Sequence, residues 1–355
     1  MPSPLFAPPA AQRGVVILLL LTVLTVLVLA GLVASLPGNA ARSRAAAQSA
    51  LALADAREAL SAWALAHPTK PGRLPLPDRN GDGNYDDVSD CVSTGLNDNH
   101  LLGRLPVRGE ITAGGGTNCA AALDFGPETA GRDGAGERIW YAASRHLVRD
   151  GMVPNSPVVV PSLLTNPNDW LEVTDLAGNV IAGQVAFVLV APGIAIDGQN
   201  RSAAAPNAAE FLDAVFAGTS QFAANHDADL SFVKAPDLSA LPDSEAFNDL
   251  VDFTTAGEFL EPLIRLALAR ISSGLRVYHG ANGSFPDAAD SPDGECDAGT
   301  TNGFLPTSPG SCGTAISLEA WLDPDWVPEI GYERVGADSA RLTVLATAQV
   351  SEVTP

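Results

Sequence analysis

The chain has 355 residues and a formal net charge of −21, from 41 acidic against 20 basic side chains, with Lys70 and Lys234 as its only lysines. A polyanion of this kind is repelled by phosphates and by anionic headgroups, which argues against a nucleic-acid partner and fits a solvated exported body. The length allows two modest domains beyond a membrane anchor.

Residues 15–36 read VVILLLLTVLTVLVLAGLVASL, 22 residues without a charge. As a helix this run is about 33 Å long, enough to cross a hydrocarbon core of about 30 Å. A helix is required there because the bilayer offers no water to pair backbone N–H and C=O groups. A cleaved secretory signal has a shorter apolar core, about 7–15 residues, so a retained single-pass segment is expected. The basic residues give the opposite orientation when read alone, since Arg13 precedes the run and Arg42 and Arg44 follow it. Four cysteines after the run favour an oxidising compartment for the body.

Gln12-Arg13-Gly14 abuts the apolar run directly, closing a leader at residues 1–14. With that leader the N-terminus resembles the type IV pilins and the pseudopilins of type II secretion. The resemblance implies cleavage between Gly14 and Val15 by a prepilin peptidase. It also implies an inner-membrane helix that packs against other pilin-like subunits, and a periplasmic globular part. Family members usually carry Glu at the fifth residue after the cut, where this chain has Leu19. That departure points away from a bulk filament subunit and toward an atypical minor pilin or pseudopilin.

Beyond Pro37-Gly38 a second helical stretch is expected to about His67, with Leu53, Ala56, Leu60, Trp63, Ala64 and His67 on one face. Pro37 and Gly38 either kink one long helix or separate two. Pro68 and Pro71-Gly72 end it. In the acidic loop after them, Asp78, Asn80, Asp82, Asn84 and Asp86 alternate around Gly83. Calcium takes six to eight oxygen ligands, and alternating acidic or amide side chains on a tight loop converge on one point, so calcium is the candidate cofactor. The twelfth position is Ser89, so the bidentate Glu of an EF-hand loop is missing and a solvated Asx-rich turn is the alternative.

Cys91, Cys119, Cys296 and Cys312 allow three pairings, and Cys91–Cys119 with Cys296–Cys312 is the expected one. Each loop closure would contribute about 3 kcal/mol. Ile139 and Tyr141 are expected on one face of a strand and Trp140 on the other. A hairpin is expected about Asp175–Gly178, then a strand over Gln184–Ala191 that Pro192-Gly193 stops, closing a first sheet. Residues 199–248 read as a linker or excursion with a short helix over Ala209–Phe216. Thr255 and Glu258 have capping-box spacing and open a helix lined by Leu260, Leu263, Ile264, Ala267, Leu268, Ile271 and Leu275.

The segment after that helix repeats, in the same order, the features found after the first. Tyr278 stands for Trp63, Gly283-Ser-Phe-Pro286 for Gly72-Arg-Leu-Pro75, Cys296 for Cys91, Gly303-Phe-Leu-Pro306 for Gly103-Arg-Leu-Pro106, and Cys312 for Cys119. A hairpin over 329–335 and 340–348 closes the second copy. Asp287, Asp290, Asp293, Glu295 and Asp297 form a second, irregularly spaced acidic set. No GxSxG elbow, HExxH or P-loop occurs.

The fold expected is α+β: a transmembrane helix at 15–36, a first pilin-like helix-plus-antiparallel-sheet module at 37–198, the excursion at 199–248 and a second pilin-like module at 249–355. The function expected is non-enzymatic assembly in a type IV pilus or type II secretion-type system. A membrane-anchored periplasmic calcium- or ligand-binding protein is the alternative, with an anchored hydrolase behind it.

Overall fold

The computed structural model describes residues 12–67, 71–79, 96–107, 131–148, 159–196, 199–202, 207–217, 220–236, 247–322 and 325–355. Within the long first helix, the side chains of 12–19 and 26–42 lie outside the described set. Cys91 and Cys119 also fall outside it.

The fold is α+β. Helix α1 spans Gln12–Ala66 without a break, so Pro37-Gly38 does not divide it into two helices. Its C-terminal part buries Leu53, Ala56, Leu60 and Ala64 at 0–2 % exposure, while Asp55 and Glu58 face solvent. His67 packs edge-on against Trp63, with ring centroids 5.4 Å apart. The three- and four-residue spacing of the buried positions places them on one helix face.

The first sheet runs β1 (Leu102–Arg104), β2 (Trp140–Ala143), β4 (Val180–Ala191), β3 (Leu171–Thr174) and β7 (Ser231–Val233), with β8 (Leu250–Thr255) on the other side of β4. All pairings are antiparallel except β3 with β7. The β3–β4 hairpin turns where expected: the Asp175 carboxylate accepts the N–H groups of Ala177 and Asn179 at 2.8 Å, and Gly178 takes φ +79°.

Three expectations about the first sheet and the stretch 199–248 need correction. Pro192-Gly193 ends β4 but does not close the sheet, because β7 and β8 join it later in the chain. The stretch 199–248 supplies β5 (Ala214–Ala217), β6 (Ser220–Ala224) and β7 instead of serving only as a linker. The helix expected over Ala209–Phe216 is a single 3-10 turn at Ala208–Glu210 followed by β5. There Phe211 and Leu212 are drawn onto the outer face of the sheet, beside Trp140, Val188 and Val190, and that burial outweighs a modest helical preference.

β8 passes directly into α2 (Ala256–Asn282) through the expected capping box. The Thr255 N–H donates to Glu258 Oε2 at 2.9 Å, and the Glu258 N–H donates to Thr255 Oγ1 at 3.3 Å. Gly283 at φ +75° ends the helix, its N–H donating to the His279 carbonyl at 2.7 Å. The second sheet is an antiparallel meander of β9 (Asn302–Phe304), β10 (Ile330–Gly336), β11 (Ser339–Val344) and β12 (Gln349–Val353). The strand expected to reach Ala348 stops at Val344, because 345–348 form a turn with Ala348 at φ +55° that folds β12 back. Cys296 and Cys312 are disulfide-bonded, with Cα atoms 5.7 Å apart.

The repeat is visible in the geometry. Asp78 and Arg104 exchange two backbone hydrogen bonds, of 2.9 and 2.7 Å, and Ala289 and Phe304 do the same at 3.0 and 2.8 Å. Tyr141 Oη donates to the Pro75 carbonyl at 3.1 Å, and Tyr332 Oη to the Pro286 carbonyl at 2.9 Å. Tyr141 pairs with Gly103 on one side and Leu189 on the other, and Tyr332 pairs with Gly303 and Leu342. Strands β1-β2-β4-β8 thus correspond to β9-β10-β11-β12. The inner faces of both sheets, α2 and the C-terminal part of α1 share one continuous apolar core.

Candidate functional site

Two places in the structure combine exposure or a cavity with unusual chemistry. The first is α1. Its C-terminal part is built into the body, whereas Leu20, Leu21, Val23 and Leu24 are 49–65 % exposed. Gly14 and Val15 lie within the helix. Among the described residues no helix is long and apolar enough to cross a membrane; within the apolar run, the described side chains are those of 20–25.

Among the described residues, the body holds α1 at Ala45 and Ser49. The Gly134 N–H donates to Ser49 Oγ at 2.9 Å, and a Cβ on Gly134 would stand 2.0 Å from the Ala45 carbonyl oxygen. This contact is so close that glycine is required there. The loop carrying Gly134 is fixed by Asp133, whose carboxylate accepts the N–H groups of Ala135, Glu137 and Gly193 at 2.8–2.9 Å. Burial raises the Asp133 pKa from its ordinary value, against the lowering effect of those three N–H donors.

The second place is a cleft of about 120 Å³ beside this contact. Ala45, Ala46 and Ser49 of α1 form one wall, and Ala135, Asn248 and Asp249 are among the residues facing them. Asp249 is 2 % exposed and Asp213 1 %. The two carboxylates form a reciprocal clasp. Asp249 Oδ2 accepts the Asp213 N–H at 2.8 Å and Asn225 Nδ2 at 2.9 Å, while Asp213 Oδ2 accepts the N–H groups of Asn248 and Asp249 at 2.6 and 3.1 Å. Gln199 Nε2 donates to Asp213 Oδ1 at 2.9 Å.

Arg201 stands behind the clasp but is committed elsewhere, donating to Gln199 Oε1 at 2.6 Å and to the Gly193 carbonyl at 2.7 Å. Burial, then the neighbouring Asp213 charge, holds the Asp249 pKa well above the ordinary carboxylate range, and burial raises that of Asp213 as well. Asp249 Oδ1 and Asn248 Oδ1 are buried without a hydrogen-bond partner among the described residues. A buried acceptor left without a donor costs about 1–3 kcal/mol, a cost carried inside the clasp.

Of the candidate calcium ligands, only Asp78 lies among the described residues; it is buried at 0 % exposure, and its backbone pairs with Arg104. Asn80, Asp82, Asn84 and Asp86 lie outside them. In the second acidic set, Asp287 pairs with Arg334 and accepts the Gly299 N–H, Asp293 turns to Ser291, and Asp297 accepts from Thr300. Among the described residues no group of three or more His, Cys, Asp or Glu side chains could hold a metal ion.

The clasp is absent from the sequence expectations because Asp213 and Asp249 are 36 positions apart, the first inside the stretch read as a linker and the second directly after it. The one local signal is an Asx residue directly ahead of a strand, at Asp213 before β5 and Asn248-Asp249 before β8. No protein-family model matches the chain, and comparison with curated proteins and with solved structures finds no match.

Proposed function

We propose that the chain is a non-catalytic assembly subunit, a minor pilin- or pseudopilin-like component of a type IV pilus or type II secretion-type system. In this reading it is anchored once in the inner membrane by residues 15–36, with its body in the periplasm. Its partners are other pilin-like subunits, met through α1, and a prepilin peptidase acting at Gly14–Val15.

The observation that carries this reading is the division of labour along one 55-residue helix: Leu53, Ala56, Leu60 and Ala64 are built into the core, while Leu20–Leu24 stands exposed. An apolar helical surface of that kind requires lipid or another protein to cover it. The tandem helix-and-sheet architecture agrees with a chain whose work is to present surface. The test is the intact mass of membrane-extracted protein from cells with and without a prepilin peptidase. A species beginning at Val15 only when the enzyme is present supports the proposal; retention of residues before Val15 in both backgrounds overturns it.

A membrane-anchored binding protein is the second reading. The cleft of about 120 Å³ against α1 favours it.

A further inference from the structure

We propose that the outer face of the second sheet is a docking groove for an extended segment of a partner protein, one that carries an aromatic side chain between basic residues. The proposal does not depend on whether the chain is a pilin-like subunit. It rests on the internal repeat, because the first copy shows what covers the same place.

Strand register makes the two outer faces comparable position by position. Across the first sheet Arg104, Trp140, Val190 and Val251 lie side by side in one row. Across the second, Phe304, Gly331, Thr343 and Val350 form the corresponding row. The first row is closed by the chain itself. Phe211 reaches it from the excursion, its ring centroid 5.8 Å from that of Trp140 and 4.0 Å from the Arg104 guanidinium, and Trp140, Val190 and Val251 are left at 0–3 % exposure. The second row stays open among the described residues: Val350 is 53 % exposed, and Leu345, which lies against Gly331, is 54 % exposed. Gly331 occupies the place of Trp140, so no side chain fills the floor, and a groove of about 590 Å³ runs over it. That volume falls among sites of about 300–1,000 Å³ and accommodates a large side chain with part of its backbone.

The walls and the rim select different parts of the occupant. Phe304, Leu345 and Val350 offer apolar contact, and the Phe304 ring can meet a second ring edge-on or offset. Beside them runs the next row, Asn302, Glu333, Arg341 and Glu352, in which Arg341 serves both carboxylates, at 2.9 and 3.8 Å. One guanidinium between two carboxylates leaves this rim net negative, and the chain as a whole carries −21, so basic flanks on the partner are favoured. The paired rim meets water, which lets the sheet stand with its apolar row uncovered until a partner arrives.

The probe is the peptide acetyl-Lys-Phe-Leu-Lys-amide, which sets the Phe-Leu pair of residues 211–212 between basic flanks, titrated by calorimetry into the full-length chain in detergent. It should bind at least about tenfold tighter than acetyl-Lys-Ala-Ala-Lys-amide, the scale of burying one aromatic side chain. It should bind about twofold to fivefold tighter than acetyl-Glu-Phe-Leu-Glu-amide at low salt, the scale of an exposed ion pair. Gly331→Trp installs the residue of the first copy and should abolish binding. Leu345→Asn, at an exposed position, should weaken binding at least about threefold with the melting temperature retained. Equal binding of the Phe-Leu and Ala-Ala peptides, no binding at millimolar concentration, or binding undiminished by Leu345→Asn overturns the proposal, and an acid-flanked peptide that binds as tightly overturns the basic partner. Sedimentation of the peptide-free chain at rising concentration identifies the source. An oligomer that Gly331→Trp dissociates overturns the partner assignment in favour of a second copy of this chain, and sedimentation unchanged by Gly331→Trp supports a separate partner.

Discussion

Replacing Tyr141 or Tyr332 by Phe removes one hydroxyl from each copy of the repeat and leaves the ring in place. Both rings are buried at 0–1 % exposure, and each hydroxyl donates to a proline carbonyl, at 3.1 Å to Pro75 and at 2.9 Å to Pro286. Loss of a buried donor costs the net hydrogen bond plus desolvation of the stranded carbonyl, about 1–3 kcal/mol per site. The two sites occupy different sheets and share no hydrogen-bond partner, so the double variant should lose about 2–6 kcal/mol by addition. Because α2 and both inner sheet faces form one core, each single variant should lower the midpoint of the same cooperative transition. Urea unfolding followed by tryptophan fluorescence reads both copies, since Trp140 adjoins Tyr141 and Trp326 is fully buried in the second copy. Two separate transitions, with Tyr141→Phe moving one and Tyr332→Phe the other, would refute the single core; a loss under about 0.5 kcal/mol at either site would refute the bond.

Gly103→Ala and Gly303→Ala should each destabilise by about 1–3 kcal/mol, read as a lower denaturation midpoint, because the new Cβ would stand 2.6 Å from the Asp78 carbonyl oxygen or 2.0 Å from that of Ala289. An unchanged midpoint at either position would show that the paired bridges are not as close as described. Burial raises the Asp249 and Asp213 pKa values, so the native state retains protons that the unfolded chain releases above about pH 4. Their stabilising effect is therefore full below about pH 4 and is lost as pH rises toward the raised values, by up to about 1.4 kcal/mol per pH unit for each group. Asp249→Asn should flatten the fall in urea midpoint between about pH 4.5 and 7, with Asp213 and Arg201 as the remaining charged neighbours. Parallel profiles for the two proteins would refute the assignment.

The elements legible in the sequence are those whose pattern depends on neighbours in the chain. The α2 stripe, the Thr255–Glu258 box and the Asp175–Gly178 turn arise from local spacing, and all three stand where expected. The Gly-x-Leu-Pro recurrence marked the repeat, and it coincides with β1 and β9, which were not expected as strands, because the glycine is required by a backbone contact that leaves a trace in composition. The stretch 199–248 was illegible for the opposite reason. Its strands are short, and β7 pairs in parallel with β3, about sixty positions earlier, so no local periodicity announces it. The cleft shares that obscurity: its walls come from α1, the 131–136 loop and the entry to β8, and alanines at a surface carry no signal of what they enclose.

The same stretch also explains why the two copies differ in length. On the outer face of the first sheet the residues flanking Tyr141 and Leu189 are Trp140, Ala142, Val188 and Val190, all buried at 0–3 % exposure. The corresponding positions in the second sheet are Gly331, Glu333, Arg341 and Thr343, all half-exposed. Glu333 and Arg341 pair across the strands at 2.9 Å, so that face carries its own polarity and can meet water directly. Exposing Trp140, Val188 and Val190 would cost about 1.5–3 kcal/mol per side chain, which a cover must offset against the ordering of its own backbone. Phe211 and Leu212 supply that cover, joined in the same apolar cluster by Phe232 of β7, with the Arg104 guanidinium 4.0 Å from the Phe211 ring centroid. An apolar outer face and a long excursion therefore go together in the first copy, and a polar face goes with a short meander in the second. The asymmetry comes down to four strand positions, and the cleft exists because the covering segment must return through Asn248 and Asp249 to enter β8.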